Sequence, residues 1–405
     1  MPVQRTPSRA ILVSVRRALA APPPAYYLLL GLTLFIVAFG IVMVLSSSSV
    51  TAQSGSRDAY SRFWPQAAVA LVGVATMLIV SRLPRRFWER TIRIILVMSC
   101  LLQVIALTTP LGIKVGDNTN WLRIGGFSIQ PSEAIKVSLV VWLGIVLARK
   151  RHSLTEWRSA FFPVVPVAGG AILLVILGGD LGTTVILAGV VFGAMFFAGA
   201  RIKHLLVAIG AAAVLAILVA LSSATRRGRI FAFFGGESAV NPDVHWQVTQ
   251  GNYALASGGI FGRGLGNSRS KWFWLPSADT DFIMAIIGEE LGLIGTLLVL
   301  ILFVLLAAAL FRIMSATTDP ASRITTAAIM VWIIGQAFVN IAVVLGLIPV
   351  LGVPLPLISA GGTALLSTLA ALGIVLSFAR VRPQPPAASG PPGPPERIEA
   401  RTAIE

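Results

Sequence analysis

The chain has 405 residues, 56% of them hydrophobic and only 12% charged, with a formal net charge of +16. A soluble domain carries about 25% charged residues, and a mean hydropathy of +0.85 leaves too little polar surface to wrap a water-soluble core. These figures exclude a soluble enzyme, a fibrous protein and a disordered chain. They leave an all-α polytopic membrane protein, because the apolar runs are continuous and about 20 residues long. A β-barrel would show shorter, alternating segments.

In chain order, residues 1–25 form a basic tail in which Arg9 to Ala20 alternates cations with apolar residues, a pattern that suits the membrane surface. Ten apolar segments follow, near 26–48, 64–83, 92–109, 134–148, 161–178, 181–200, 203–222, 282–311, 324–348 and 360–379. The first is too long for a signal-peptide core and no cleavage site follows it. The predicted membrane domain is 26–381. Residues 382–405 are rich in proline and small residues, which predicts a disordered tail. A single cysteine, Cys100, lies inside an apolar run, so no intrachain disulfide or metal cluster can be built from cysteine.

The loops orient the chain. About two thirds of the 32 Lys and Arg fall in the two tails and in the second, fourth, sixth and eighth loops, among them Arg82, Arg85, Arg149, Lys150, Arg201, Arg312 and Arg380. Cytoplasmic loops carry the excess of base, so both termini are expected in the cytoplasm, as an even helix count requires. The excess charge is thereby read as membrane anchoring and not as a nucleic-acid surface. Two long loops then face outward, 110–133 and 223–281, the second lying between helices 7 and 8. Structureless loops of that length are uncommon unless functional, and short helices are expected within the second.

Ionisable residues near a membrane are costly, so each is a functional candidate. Asp279, Asp281, Glu289 and Glu290 lie in DTDFIMAIIGEELG, at the expected outer end of the eighth helix. Helix-dipole acids are the plainer reading of Asp279 and Asp281; function is favoured for Asp281. In WLRIGGFSIQPSEAIK, Trp121 and Arg123 precede Glu133 and Lys136, an i,i+3 pair on the first turn of a helix. Two cations there suit an anionic headgroup or phosphate, and a local ion pair suits equally. The stretch GGIFGRGLGNSRSKWFW begins at Gly258, just after Ser257, and holds Lys271; it lacks the spacing of a nucleotide cradle. Asp180, in GGDLGTT, is either a tight-turn acid or a partner for a cation. The three histidines are scattered, and no serine-nucleophile elbow, Walker loop or redox CxxC is present. One or two carboxylates, several cations and an apolar groove suit group transfer from a lipid-linked phosphate, or movement of such a lipid.

These motifs, in this order, resemble the SEDS (shape, elongation, division and sporulation) family over nearly the whole membrane part. The resemblance rests on Trp121, Gln130, Pro131, Ser132, Glu133 and Lys136; on SGGIFGRGLG, Ser257 to Gly266; on Leu275, Pro276, Thr280, Asp281 and Phe282; on Gly288 to Gly292; and on LPLISAGGTALLS at 355–367. It implies a ten-helix peptidoglycan glycosyltransferase that polymerises lipid II, with Asp281 as general base and Arg123, Lys136 and Lys271 near the departing diphosphate. Trp121, Glu133, Asp180, Ser257 and Gly258 are the further implied substrate residues. Asp279, Glu289 and Glu290 are accessory acids. The family often has His where Asp279 stands, so Asp279 and Asp281 could instead share a divalent cation (Mg or Mn); no other cofactor is implied. The implied partners are a class B penicillin-binding protein and other divisome proteins, with membrane lipid around the chain and no nucleic acid. The division members match better than the elongation members, which places the chain at the septum of a bacterial plasma membrane. A lipid II flippase and a non-catalytic scaffold are the competing readings.

Topology is directly testable. In a Cys100→Ser background, Ser238→Cys is expected to react with a membrane-impermeant thiol reagent in intact spheroplasts, and Ser389→Cys only after permeabilisation. The reverse pattern would put residues 223–281 in the cytoplasm.

Overall fold

A computed structural model describes residues 22–53, 63–115, 118–125, 127–221, 227–228, 233, 242–272 and 274–380. The expected surface segment 9–20 and the proline-rich tail 382–405 lie outside the described residues. The helices are α1 Pro24–Gln53, α2 Phe63–Val80, α3 Arg85–Thr108, α4 Pro131–Arg149, α5 Trp157–Phe161, α6 Gly170–Leu177, α7 Leu181–Ala198, α8 Ile202–Leu221, α9 Pro242–Gly258, α10 Ile283–Ala316, α11 Pro320–Val344 and α12 Gly362–Ala379. Among the described residues, nine helices are long and apolar enough to cross a membrane: α1 to α4, α7, α8 and α10 to α12. Each matches a predicted segment.

The remaining predicted segment, 161–178, is a shorter apolar helix, Val165–Leu177. It opens as a π-turn, Val165–Gly169, and follows α5 through a short link. Pro163 and Pro166 explain the break, since neither has an N–H to continue the helical ladder. The predicted outer loop 223–281 contains α9.

One element was not expected from the sequence. Residues of the 110–133 loop form a three-stranded antiparallel sheet, β1 Gly112–Val115, β2 Asn118–Ile124 and β3 Phe127–Ile129, in that order. Ile113 faces Trp121 across one pair and Arg123 faces Ser128 across the other. Gly125, after β2, has φ +56°, the positive φ that tight hairpin turns demand. Asn120 and Leu122 are buried, Arg123 is exposed and Trp121 half-buried, the period of two of a strand with one covered face.

The ends of the helices sort into two groups. At one end Arg380 donates to the Tyr26 hydroxyl (2.9 Å), and Arg85 pairs with both Glu89 and Asp319. At the other, Lys271 Nζ donates to the Ser46 carbonyl, Gln130 to Asp180, and Ala360 N to the Asp279 carbonyl. The loops assigned to one side by charge therefore do meet one another in space.

Helix α10 is interrupted. Gly292 has φ +66° and ψ −159°, which ends one helical stretch and begins another. The groups that the break frees are taken by the glycine-rich segment that follows α9. Arg263 N and Gly264 N donate to the carbonyls of Glu289 and Glu290, both at 3.0 Å. In return Leu293 N and Ile294 N donate to the carbonyls of Gly259 and Ile260. An irregular backbone near a membrane persists only when protein satisfies it. Side chains at Gly258, Gly262 or Gly292 would run into the facing backbone, which is why the motif is glycine-rich. Gly292→Ala is expected to destabilise the protein by about 2–4 kcal/mol through positive φ and collision, read as thermal unfolding in detergent. Gly210→Ala, in open space on α8, should lose nothing; equal stability of both variants would refute this account.

Candidate active site

Asp281 does not lie on α10. It sits in a turn two residues before the helix begins at Ile283, so it is not a helix-face neighbour of Glu289 or Glu290. The turn hinges on Ser277 at φ +56°, whose carbonyl accepts from Thr280 N and Phe282 N. Three consecutive carbonyls then accept hydrogen bonds from elsewhere in the chain. Asp279 O accepts from Ala360 N (2.9 Å), Thr280 O from Ser359 Oγ (2.6 Å), and Asp281 O from Asn340 Nδ2 (2.8 Å). The side chain of Asp281 is half-buried. A Cβ placed on Gly352 would stand 3.7 Å from its Oδ2, and Gly352 has φ +69°. The α11–α12 connection, 345–361, thus lies directly against the carboxylate.

The same connection reaches the other motifs. Asn340 Nδ2 also donates to Val353 O (2.7 Å), and Gln336 Nε2 donates to Pro354 O (2.9 Å). Gln336 Oε1 in turn accepts from Lys136 Nζ (3.2 Å) and Trp332 Nε1 (2.9 Å). Lys136 is paired with Glu133 at 2.7 Å and lies 4.9 Å from the centre of the Trp332 ring, and Ser367 Oγ donates to Glu133. Both members of the pair are buried. Gly182, on the first turn of α7, leaves no room for a side chain beside Leu351 and Val353. Asp180 caps that helix, accepting from Thr183 N and Thr183 Oγ1 (both 2.8 Å) and from Gln130 Nε2 (3.1 Å). Asp180 lies in the turn between α6 and α7. Its burial pushes the carboxyl up, against the bonds from Thr183.

Several of the residues singled out from sequence are engaged within the fold. Lys271 Nζ is buried among Glu290 Oε1 (3.2 Å), Gly266 O (2.7 Å) and Ser46 O (3.1 Å). Glu289 is likewise committed, accepting from Ser268 Oγ (2.6 Å), Arg269 N (2.9 Å) and Ser270 N (3.2 Å). Both acids organise residues 266–271 although they lie on different sides of α10, because that loop wraps the helix end. Lys136 is a structural cation joined to Glu133. Ser257 bonds back to the Ala254 carbonyl within α9, and Gly258 is a packing position against Gly288. Asp180 is a turn acid that holds a neighbouring strand end. Arg123 is exposed on β2 and Trp121 half-buried beside it. Among the described residues no third Asp, Glu, His or Cys joins Asp279 and Asp281. Magnesium is commonly held by one or two carboxylates, with waters and substrate phosphates completing its six oxygens, so Asp279 and Asp281 would supply only part of such a shell.

Gln336, Asn340 and Ser359 were missed. The signal was present: Gln336 and Asn340 are two amides four residues apart in an otherwise apolar helix, hence on one face.

The chain matches the family profile described as "Cell cycle protein", covering FtsW, RodA and SpoVE, over residues 26–384. It is 37% identical to a Mycobacterium tuberculosis protein named "Probable peptidoglycan glycosyltransferase FtsW", over 91% of this chain and 70% of that one. It is 35% identical to the Bacillus subtilis stage V sporulation protein E, over 87% of this chain and 96% of that one. Among solved structures it is similar to a chain from work on the structural coordination of polymerization and crosslinking by a peptidoglycan synthase complex, with a TM-score of 0.71 and 25% identity over 87% of this chain and 96% of that one. It is also similar to the Thermus thermophilus rod shape determining protein RodA, with a TM-score of 0.64 and 25% identity over 88% and 97%.

Stability separates structural cations from exposed ones. Lys136→Met leaves Glu133 as a lone buried carboxylate and should cost about 3–5 kcal/mol, whereas Arg123→Ala should stay within about 0.5 kcal/mol. Adding Glu133→Gln to Lys136→Met should recover much of the loss. Equal melting temperatures for the two single variants would contradict the assignment.

Proposed function

The chain belongs to the FtsW/RodA/SpoVE family, and from that premise we propose that it is a peptidoglycan glycosyltransferase of the division type, polymerising lipid II outside the plasma membrane. The observation that carries the reading is the fixed Asp281 turn, with three carbonyls in a row held by Ala360, Ser359 and Asn340. A general base must be held where the proton it removes will be, and a flippase has no use for such rigidity at one carboxylate.

In this mechanism the acceptor 4-hydroxyl attacks the anomeric carbon of the donor sugar. Its proton passes to an Asp281 carboxylate oxygen as the new C–O bond forms. The bond from the anomeric carbon to the phosphate oxygen breaks, and undecaprenyl diphosphate leaves with that electron pair. Attack opposite the leaving group turns an α-linked donor into a β-1,4 product. Of the three cations considered from sequence, Arg123 is the one exposed to meet the diphosphate, since Lys136 and Lys271 balance buried carboxylates.

Division rather than elongation is supported by the relatives named FtsW at 36% and 37% identity. A class B penicillin-binding protein is the proposed partner within the divisome, supported by the likeness to a chain from a peptidoglycan synthase complex. The septal membrane is the proposed site of action, with both termini in the cytoplasm, supported by the distribution of basic residues.

With purified protein and labelled lipid II, with and without that partner, Asp281→Asn is expected to cut polymerisation by at least about 100-fold at an unchanged melting temperature. Polymer formed at the wild-type rate by the Asn variant would remove Asp281 as the base.

A further inference from the structure

Two adjoining hollows lie away from Asp281 and have no part in the proposed mechanism. The first, about 740 Å3, sits beyond the end of α4 and is lined by Lys150, Glu156, Trp157, Arg158, Phe162 and Pro166. Its lining carries two cations and one acid, and the exposed Arg149 and Arg151 stand next to Lys150 in the chain. Trp157, Phe162 and Val165 are 60%, 76% and 56% exposed, and the Arg158 guanidinium lies 5.4 Å from the centre of the Trp157 ring. Exposed aromatic side chains beside cations suit a membrane–water interface.

The second hollow, about 540 Å3, runs between α6, α7 and α8, and Thr184 supplies the only polar side chain in its lining. Phe161 and Val165 line both hollows, so the two adjoin. On the α8 side the wall is Ala208, Ala211, Ala212, Leu215 and Ala216, whose mostly small side chains leave the space between the helices unfilled. Only 6% of the α8 span is buried within the protein.

We propose that the two hollows form one site for an anionic glycerophospholipid, its phosphate between Lys150 and Arg158 and an acyl chain in the apolar hollow beside α8. A free phosphate would use only the first hollow, and a zwitterionic lipid would gain little from the cations. A cationic head region directly beside an apolar hollow selects a ligand that has both parts. Basic pockets at the cytoplasmic ends of helices bind anionic headgroups. By the charge distribution of the loops this site opens to the inner leaflet, on the face opposite Asp281.

The test is native mass spectrometry of the full chain in detergent, with added phosphatidylglycerol or phosphatidylcholine of identical chains. The wild type is expected to retain phosphatidylglycerol preferentially. Lys150→Gln with Arg158→Gln should weaken that binding by about thirtyfold, from the usual contribution of two surface cations. Ala212→Phe, or the milder Ala216→Leu if the first fails to fold, should weaken both lipids by filling the apolar hollow. Inorganic phosphate should not compete. Equal retention of the two lipids by the wild type, or unchanged phosphatidylglycerol affinity in the double variant, would overturn the proposal. Displacement by phosphate alone would likewise reduce the site to its first hollow.

Discussion

Asn340 gives one amide proton to the carbonyl of Asp281 and the other to that of Val353, and much of this end of the helix bundle is arranged around that pair of bonds. The acceptors belong to two irregular segments, the 277–282 turn and the 345–361 connection, neither of which has a ladder of its own. Buried carbonyls without partners are costly, so the two segments are stable only against each other. Ser359 and Ala360 tighten the same seam on its other side, and Gln336, one turn earlier on α11, extends it to Pro354. A helix supplies the polar side chains and two loops supply the carbonyls. The outcome is a carboxylate whose backbone is fixed in a region with little regular structure.

Charge is handled by the same rule. The Glu133–Lys136 and Lys271–Glu290 pairs are both buried, and buried pairs seldom stabilise a fold more than apolar residues would. What they do here is specify register. Lys271 binds the carbonyls of Ser46 and Gly266 as well as Glu290, so it joins α1, the glycine-rich segment and α10 at a single atom. Lys136 joins α4 to α11 through Gln336, and Glu133 joins α4 to α12 through Ser367. Apolar side chains pack in many registers, whereas an ammonium with three oxygens around it accepts one.

The sequence was most legible where physics is local. Because lipid leaves a helix few alternatives, apolar runs of spanning length located the nine long helices and the shorter Val165–Leu177 segment, although α3 begins at Arg85, ahead of its apolar run, and α10 continues to Ala316. The sheet at 112–129 escaped because its strands are short and its alternation was read as a basic, Trp-bearing loop. The break at Gly292 escaped because a single glycine inside a 34-residue apolar helix carries no signal until its partner segment, 259–264, is known. Glu289, Glu290 and Lys271 were visible as unusual charges but not as partners of one another, since separations of about 20 residues through an irregular loop have no period to read. Asp281 was singled out correctly as lying beside the long loop, and incorrectly as lying on the helix.

The chain order of the buried charges bears on how the protein enters the membrane. Chains are made and inserted from the amino-terminal end. When α10 arrives with Glu289 and Glu290, its counter-groups at Ser46, Arg263, Ser268 and Lys271 have already been synthesised and delivered to the same side. The two acids can therefore be neutralised as they emerge. The Glu133–Lys136 pair faces the opposite situation, because Ser367, which donates to Glu133, and Gln336, which accepts from Lys136, are made some 200 residues later. Lys136 lies one turn along the same helix as Glu133, so α4 carries its own counterion through that interval.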